Sequence, residues 1–199
     1  MQDENLNAFF LVGGTALSLQ IGHRISIDID LFSQTSFDEN QLLVYLELQK
    51  GLQLDYLHKN TIKGQIAETK VDFITHPYPL VKQLQIQENV RLAGLEDIAA
   101  MKLNAIVGNG TRLKDFIDVA FLSCHLCLET MMNAYEEKYA TRNPLLTLKA
   151  LSYHNDIDFN EPIQMIGYTY EWKRIKKRLA EMEKFPANIF ETFPLLSKS

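Results

Sequence analysis

Apolar residues follow two different rhythms along this chain. In the first half they come in short runs or alternate with polar residues, and in the second they recur at three- and four-residue intervals. Ala8-Phe9-Phe10-Leu11-Val12 is a strand-like run ended by Gly13-Gly14, and residues 15–21 have helical composition up to a C-cap at Gly22. Residues 24–32 predict a strand, and residues 39–50 an amphipathic helix that stops at Gly51. Three extended runs follow, 52–58, 61–67 and 69–75, separated by Lys59-Asn60 and by Glu68, which predicts an antiparallel meander joined to the earlier strands. Pro77 and Pro79 close this half. From Leu95 the pattern turns helical, with breaks at Gly108-Asn109-Gly110, Asn143-Pro144 and Glu161-Pro162, so about four helices are expected. The pattern predicts an α/β (α+β) domain over 1–90 and a helical one over 91–199.

A chain of 199 residues with 46% apolar and 23% charged positions can bury a sizeable core, which excludes a disordered protein. No apolar run approaches the roughly 18 residues that span a bilayer, and Met1-Gln2-Asp3-Glu4 is acidic where a signal peptide would be basic. The expectation is a cytoplasmic protein with no membrane partner. Cys124 and Cys127 form one C-x-x-C inside an apolar helical stretch, without a second pair to complete a zinc site, and read as two buried thiols on a helix. A net charge of −5 argues against a surface that attracts nucleic acid everywhere. It leaves room for a local patch, and Lys173, Arg174, Lys176, Lys177 and Arg178 beside Trp172 are either a solvated helix face or a set of phosphate contacts.

Side chains alternate faces along a strand, so Arg24, Ser26, Asp28 and Asp30 are expected on one face and Ile25, Ile27, Ile29 and Leu31 on the other, core face. Two carboxylates two residues apart lie about 6 to 7 Å from each other at Cα and repel. Aspartate gains little in a strand, so the pair calls for a counter-charge. Mg²⁺ prefers hard oxygen ligands completed by phosphate and water, and D-x-D supplies part of such a shell. Asp72, between apolar residues of a later strand, has a local hydrogen-bonding role if it stands alone and becomes a third ligand if that strand lies beside the first.

Gly13-Gly14-Thr15, followed after a helix by Asp28-x-Asp30 and in a later strand by Asp72, resembles the minimal nucleotidyltransferase fold of the polymerase-β-like superfamily. More narrowly, Gly13-Gly-Thr-Ala-Leu17, Gly22-His-Arg-Ile-Ser-Ile-Asp-Ile-Asp-Leu-Phe32, Lys102-Leu-x-Ala and Lys114-Asp-Phe-Ile-Asp118 are similar to the AbiEii/AbiGii toxin family, the toxin half of type IV toxin–antitoxin systems. The resemblance covers roughly residues 9 to 122. It implies a mixed sheet with flanking helices followed by a helical C-terminal part. Family members often carry a helical segment ahead of the first strand, where this chain has only a few residues.

The resemblance also implies a chemistry: transfer of an NMP from an NTP to an acceptor hydroxyl, with two Mg²⁺ ions, tRNA as acceptor and an antitoxin encoded nearby. A small-molecule acceptor, as in antibiotic-modifying enzymes, and a non-catalytic nucleotide-binding module are the alternatives. Asp28 and Asp30 would bridge the metals, and Asp72 would hold the ion that activates the acceptor. The Gly13-Gly14 turn permits close approach of backbone to phosphate, and Thr15 begins a helix whose N–H groups favour anions. By resemblance Gly14 and Thr15 meet the triphosphate; Ser26 lies on the acids' face, and Arg24, on the same face, reads first as a structural counter-charge and second as a phosphate contact. A 100° step puts Lys102 on the apolar side of its helix, where it either snorkels to water or, as the resemblance implies, serves the active site. Asp115 suits either the positive end of a helix or catalysis, and Asp118, flanked by apolar residues, either catalysis or a salt bridge to Arg112 or Lys102.

Overall fold

The computed structural model describes residues 3–140 and 143–198. The chain forms two compact units, Met1–Leu19 with Ser26–Gly94, and Gln20–Ile25 with Leu95–Ser199.

The first unit is built on a seven-stranded mixed sheet. Its strands are β1 (Phe10–Val12), β2 (Ile29–Ser33), β3 (Gln53–His58), β4 (Thr61–Ile66), β5 (Thr69–Thr75), β6 (Gln85–Gln87) and β7 (Val90–Leu92), in the order β3-β4-β5-β2-β1-β7-β6. The meander β3-β4-β5 is antiparallel as its alternation predicts, with Ala67-Glu68 as a two-residue turn at φ +47° and +65°, the left-handed pair that matches strand twist. β2 pairs parallel with β5 and antiparallel with β1, which makes the sheet mixed. The strands β6 and β7 were not foreseen: three residues each, they are too short for alternation to show.

α1 (Gly13–Ile21) follows β1 directly, and α2 (Glu39–Lys50) occupies the predicted span. Its ends explain that agreement. Asp38 accepts from the N–H groups of Asn40 and Gln41 at 3.0 and 2.9 Å, and Gly51 closes the helix at φ +69°. Phe9 anchors the core between Phe37 and Phe73, with ring centroids 5.2 and 5.4 Å away in edge-to-face contact.

The second unit has five helices among the described residues, α3 (Leu95–Gly108), α4 (Leu113–Leu122), α5 (Leu128–Tyr139), α6 (Pro144–Ser152) and α7 (Trp172–Lys184), one more than expected. The additional break is the C-x-x-C segment. Cys124 lies in a turn and Cys127 caps α5, and both are half-exposed free thiols, which corrects the expectation of buried thiols on a helix. In α7 the buried residues Ile175, Arg178, Leu179 and Met182 follow helical spacing, while Lys173, Lys176 and Lys177 are exposed. Arg178 is therefore no part of a solvated face: it donates to Ser123 Oγ and the Thr192 carbonyl at 2.9 and 2.7 Å and lies over the Phe190 ring.

The predicted strand 24–32 is half right. Regular pairing begins only at Ile29, and Ile25 and Ile27 are exposed rather than on a core face. Residues 20–25 belong with the helical unit, where Arg24 bridges Met165 and the Ile25 N–H donates to the Gln164 carbonyl at 2.8 Å. Arg24 consequently does not share a strand face with Asp28 and Asp30.

Gly64 tests the packing of the meander. A Cβ there would lie 2.3 Å from the Gln53 carbonyl oxygen and 3.0 Å from Leu52 Cδ1. Gly64→Ala should lower stability by about 1–3 kcal/mol in urea unfolding. An unchanged midpoint would show that β3 shifts freely.

Candidate active site

Cross-strand register assembles a row of polar side chains on the sheet of the first unit. Lys63 on β4 is the partner of Asp72 on β5, Asp72 is the partner of Asp30 on β2, and Asp30 is the partner of Val12 on β1. Residues directly opposite on neighbouring strands project to the same face, about 4.8 Å apart across the sheet. The flanking residues Ile62, Val71, Phe73 and Leu31 are buried, so Lys63, Asp72 and Asp30 occupy the half-buried opposite face. Asp72 thus stands beside Asp30 without intervening residues, and Lys63 makes an ion pair with its Oδ2. Lys63 escaped the sequence reading; the antiparallel meander itself held the signal, since folding residues 61–66 back on 69–75 puts Lys63 opposite Asp72.

The turn after Val12 closes on this row. Gly13 has φ +71°, and a Cβ on it would lie 2.3 Å from Asp30 Oδ2. Only glycine fits there on both counts, conformation and room. Thr15, in the first turn of α1, is hydrogen-bonded to Ser26 Oγ at 3.1 Å and donates its hydroxyl to the Asp28 carbonyl. That tie fixes the backbone of the D-x-D segment to the start of α1 and occupies the Thr15 and Ser26 hydroxyls with each other. Asp28 itself is exposed and lies one residue before the regular strand. Among the described residues no three His, Cys, Asp or Glu side chains are gathered tightly enough to form a ready-made metal cluster.

Lys102, Asp115 and Asp118 fall in the second unit, in a cluster that also takes in His23 and Arg24. Asp118 is fully buried and accepts from four directions: Arg24 Nε and NH2 at 2.7 and 2.8 Å, His23 Nε2 at 2.8 Å and Lys102 at 2.8 Å. Lys102 also bonds Asp115 at 2.7 Å, and the exposed Arg112 reaches Asp115 at 3.8 Å. The lysine is 5% exposed, so it does not snorkel to water.

Burial works against the charges of Asp118, Lys102 and Arg24, and their partners overcome it. Asp118 is held well below the usual carboxylate range by Lys102 and Arg24, despite the desolvation that would raise it. Lys102 and Arg24 are pushed above their usual values by Asp118 and Asp115, despite the desolvation that would lower them. A carboxylate can only accept here, so His23 Nε2 carries the proton. Its Nδ1 is buried without a hydrogen-bond partner. His23 stands in the Gly22-to-Phe32 motif but carried no role in sequence; the hint was that Asp118, flanked by apolar side chains, needed partners.

The family model described as nucleotidyl transferase AbiEii toxin, type IV TA system, matches residues 1–48 and 49–188. An uncharacterized protein of Aquifex aeolicus (strain VF5) is 31% identical over 156 residues, 75% of each chain. Two solved structures share the fold. A candidate nucleotidyltransferase from H. pylori aligns with a TM-score of 0.57 at 17% identity, over 92% of this chain and 88% of its own. JHP933 from Helicobacter pylori aligns with a TM-score of 0.55 at 19% identity, over 92% and 86%.

Removing Lys102 leaves two buried carboxylates short of a cation, so Lys102→Met should cost about 3–5 kcal/mol in urea unfolding. Adding Asp115→Asn should recover part of that; a loss below about 1 kcal/mol would mean that the cluster relaxes without cost. The pH dependence follows from the shifts. Asp118, depressed in the folded state, contributes stability above its unfolded value of about 3.9 and loses it as pH falls through the lower folded value. Lys102, raised in the folded state, contributes below about 10.4 and loses it as pH rises through its higher folded value. Between these limits the contribution of the two groups should be flat, as unfolding at a series of pH values would show.

Proposed function

This chain belongs to the nucleotidyl transferase AbiEii toxin family, and on that premise we propose that it moves an NMP from an NTP to a tRNA hydroxyl, with Mg²⁺ held by aspartates of the first unit, as the toxin of a type IV toxin–antitoxin pair. The observation that carries the site is the register of Asp30 against Asp72, with Gly13 closed on Asp30. Two hard oxygen donors on one face suit Mg²⁺, and exposed Asp28, two residues ahead of Asp30, supplies a third. The carboxylates of Asp28 and Asp30 are hard donors of the kind such an ion takes, and that of Asp72 already carries Lys63. When bound, the metal would offset the charge of the triphosphate and of the attacking and leaving oxygens.

The protein's own groups then have separate tasks. The first turn of α1 leaves backbone N–H groups without intrahelical acceptors, which suit triphosphate oxygens. Gly13 gives the Asp30 carboxylate its room, Gly14 continues the tight turn, and Thr15 with Ser26 steadies Asp28 through its backbone. Lys102, Asp115, Asp118 and Arg24 hold the helical unit together, since their charges satisfy one another.

A tRNA acceptor is supported by the family and by the exposed lysines Lys173, Lys176 and Lys177 of α7, which offer phosphate contacts. The family's type IV pairing supports a cognate antitoxin as partner. No helix among the described residues is long and apolar enough to cross a membrane. The compartment we propose is the cytoplasm, where NTP and tRNA are found.

The test is incubation with Mg²⁺, each α-labelled NTP in turn and total tRNA, beside Asp30→Ala. Label in RNA that falls about a hundredfold or more in the variant is expected. Label only in small molecules would replace tRNA with a small acceptor, and label that persists in Asp30→Ala would overturn the site. Gly13→Ala should reduce transfer about as far, because its methyl displaces the Asp30 carboxylate; wild-type turnover in that variant would show that Asp30 need not sit where it does.

A further inference from the structure

We propose that Lys63 is a resident counter-cation that occupies Asp72 in the metal-free protein and competes with a divalent ion for that carboxylate, an inference that rests on the metal reading above. Lys63, Asp72 and Asp30 are successive partners across β4, β5 and β2, and the Lys63 ammonium is in ion-pair contact with Asp72 Oδ2. Two carboxylates opposite one another on neighbouring strands repel, and a positive charge at either lowers that cost. The cation found at Asp72 is one that can leave. The Lys63 side chain is 43% exposed, so water takes the ammonium back at little cost. A lysine is a single charge on a flexible stem, without the two-pronged grip that would make an arginine hard to displace.

Lys70 lies two residues before Asp72 on the same face of β5, exposed and opposite Gln65, so a second positive charge stands near Asp72 in the resting protein. Linkage fixes the consequence: if a divalent ion at Asp72 expels Lys63, then Lys63 weakens that ion's binding by the same factor. Asp28 and Asp30 form the standing part of the site, and Asp72 joins it only when an incoming divalent charge outcompetes the ammonium. An ordinary cross-strand ion pair would have no such effect on metal.

The experiment is a titration of the full chain with Mn²⁺, following free Mn²⁺ by electron paramagnetic resonance, for the wild type and Lys63→Met, Lys63→Arg, Asp72→Asn and Asp30→Asn, with unfolding midpoints as a fold control. Lys63→Met is expected to bind Mn²⁺ about tenfold tighter at its weaker site. Lys63→Arg should bind no tighter than the wild type, and adding Asp72→Asn to Lys63→Met should abolish the gain. If Lys63→Met titrates like the wild type, or if the gain survives Asp72→Asn, the proposal is overturned while the metal site stands. If the wild type binds no Mn²⁺, or binds it independently of Asp30, the metal reading itself fails and takes the proposal with it.

Discussion

Two carboxylates held opposite one another on adjacent strands are a constraint that a sheet does not adopt for its own stability. The parallel pairing of β2 with β5 places Asp30 and Asp72 in this relation, about one strand spacing apart, and both neighbouring strands are shaped to it. On one side β1 is followed by a glycine with no side chain to collide with Asp30, and on the other β4 contributes a lysine to Asp72. The buried opposite face, with Leu31, Val71 and Phe73, holds the strands in register, since a slip of one residue would turn the acids into the core. Packing on one face therefore fixes the electrostatics of the other.

The acids of the helical unit obey the opposite logic. Asp118 is fully buried, and its charge persists because Arg24 grips it with two nitrogens while Lys102 and His23 complete its acceptor capacity. Nothing in that cluster is left to bind a metal, whereas Asp28 is exposed and Asp30 and Asp72 are half-exposed. Burial thus sets Asp115 and Asp118, which hold structure, apart from Asp28, Asp30 and Asp72, which water reaches.

Much of the first unit was legible because local rules and tertiary packing agree there. The span of α2 follows from an aspartate cap and a glycine stop, and β5 from an alternation of buried and half-buried residues over 71–74. The adjacency of Asp30 and Asp72 was legible only as a condition, because strand order is a long-range property. Residues 24–28 misled for a physical reason: Ile25, Ile27 and the polar residues between them alternate like a strand, but Arg24 is drawn to the buried Asp118 and the chain joins the sheet only at Ile29. The demand of Lys102 for a partner could be read from its place on an apolar helix face, and Asp118 was among the partners the sequence offered, while its bond to Asp115 could not be read. Lys63 went unseen and His23 had no role assigned because each takes its meaning from a contact distant in sequence or across a hairpin.

The most direct measurement of the central claim is a crystal structure of the protein soaked with Mn²⁺ and a non-hydrolysable NTP analogue, with the metal located by anomalous scattering. The account expects the anomalous peak on the carboxylate of Asp30, shared with Asp28, and the triphosphate against the Gly13-Gly14 turn. A peak elsewhere, or a nucleotide bound away from β1 and β2, would contradict it.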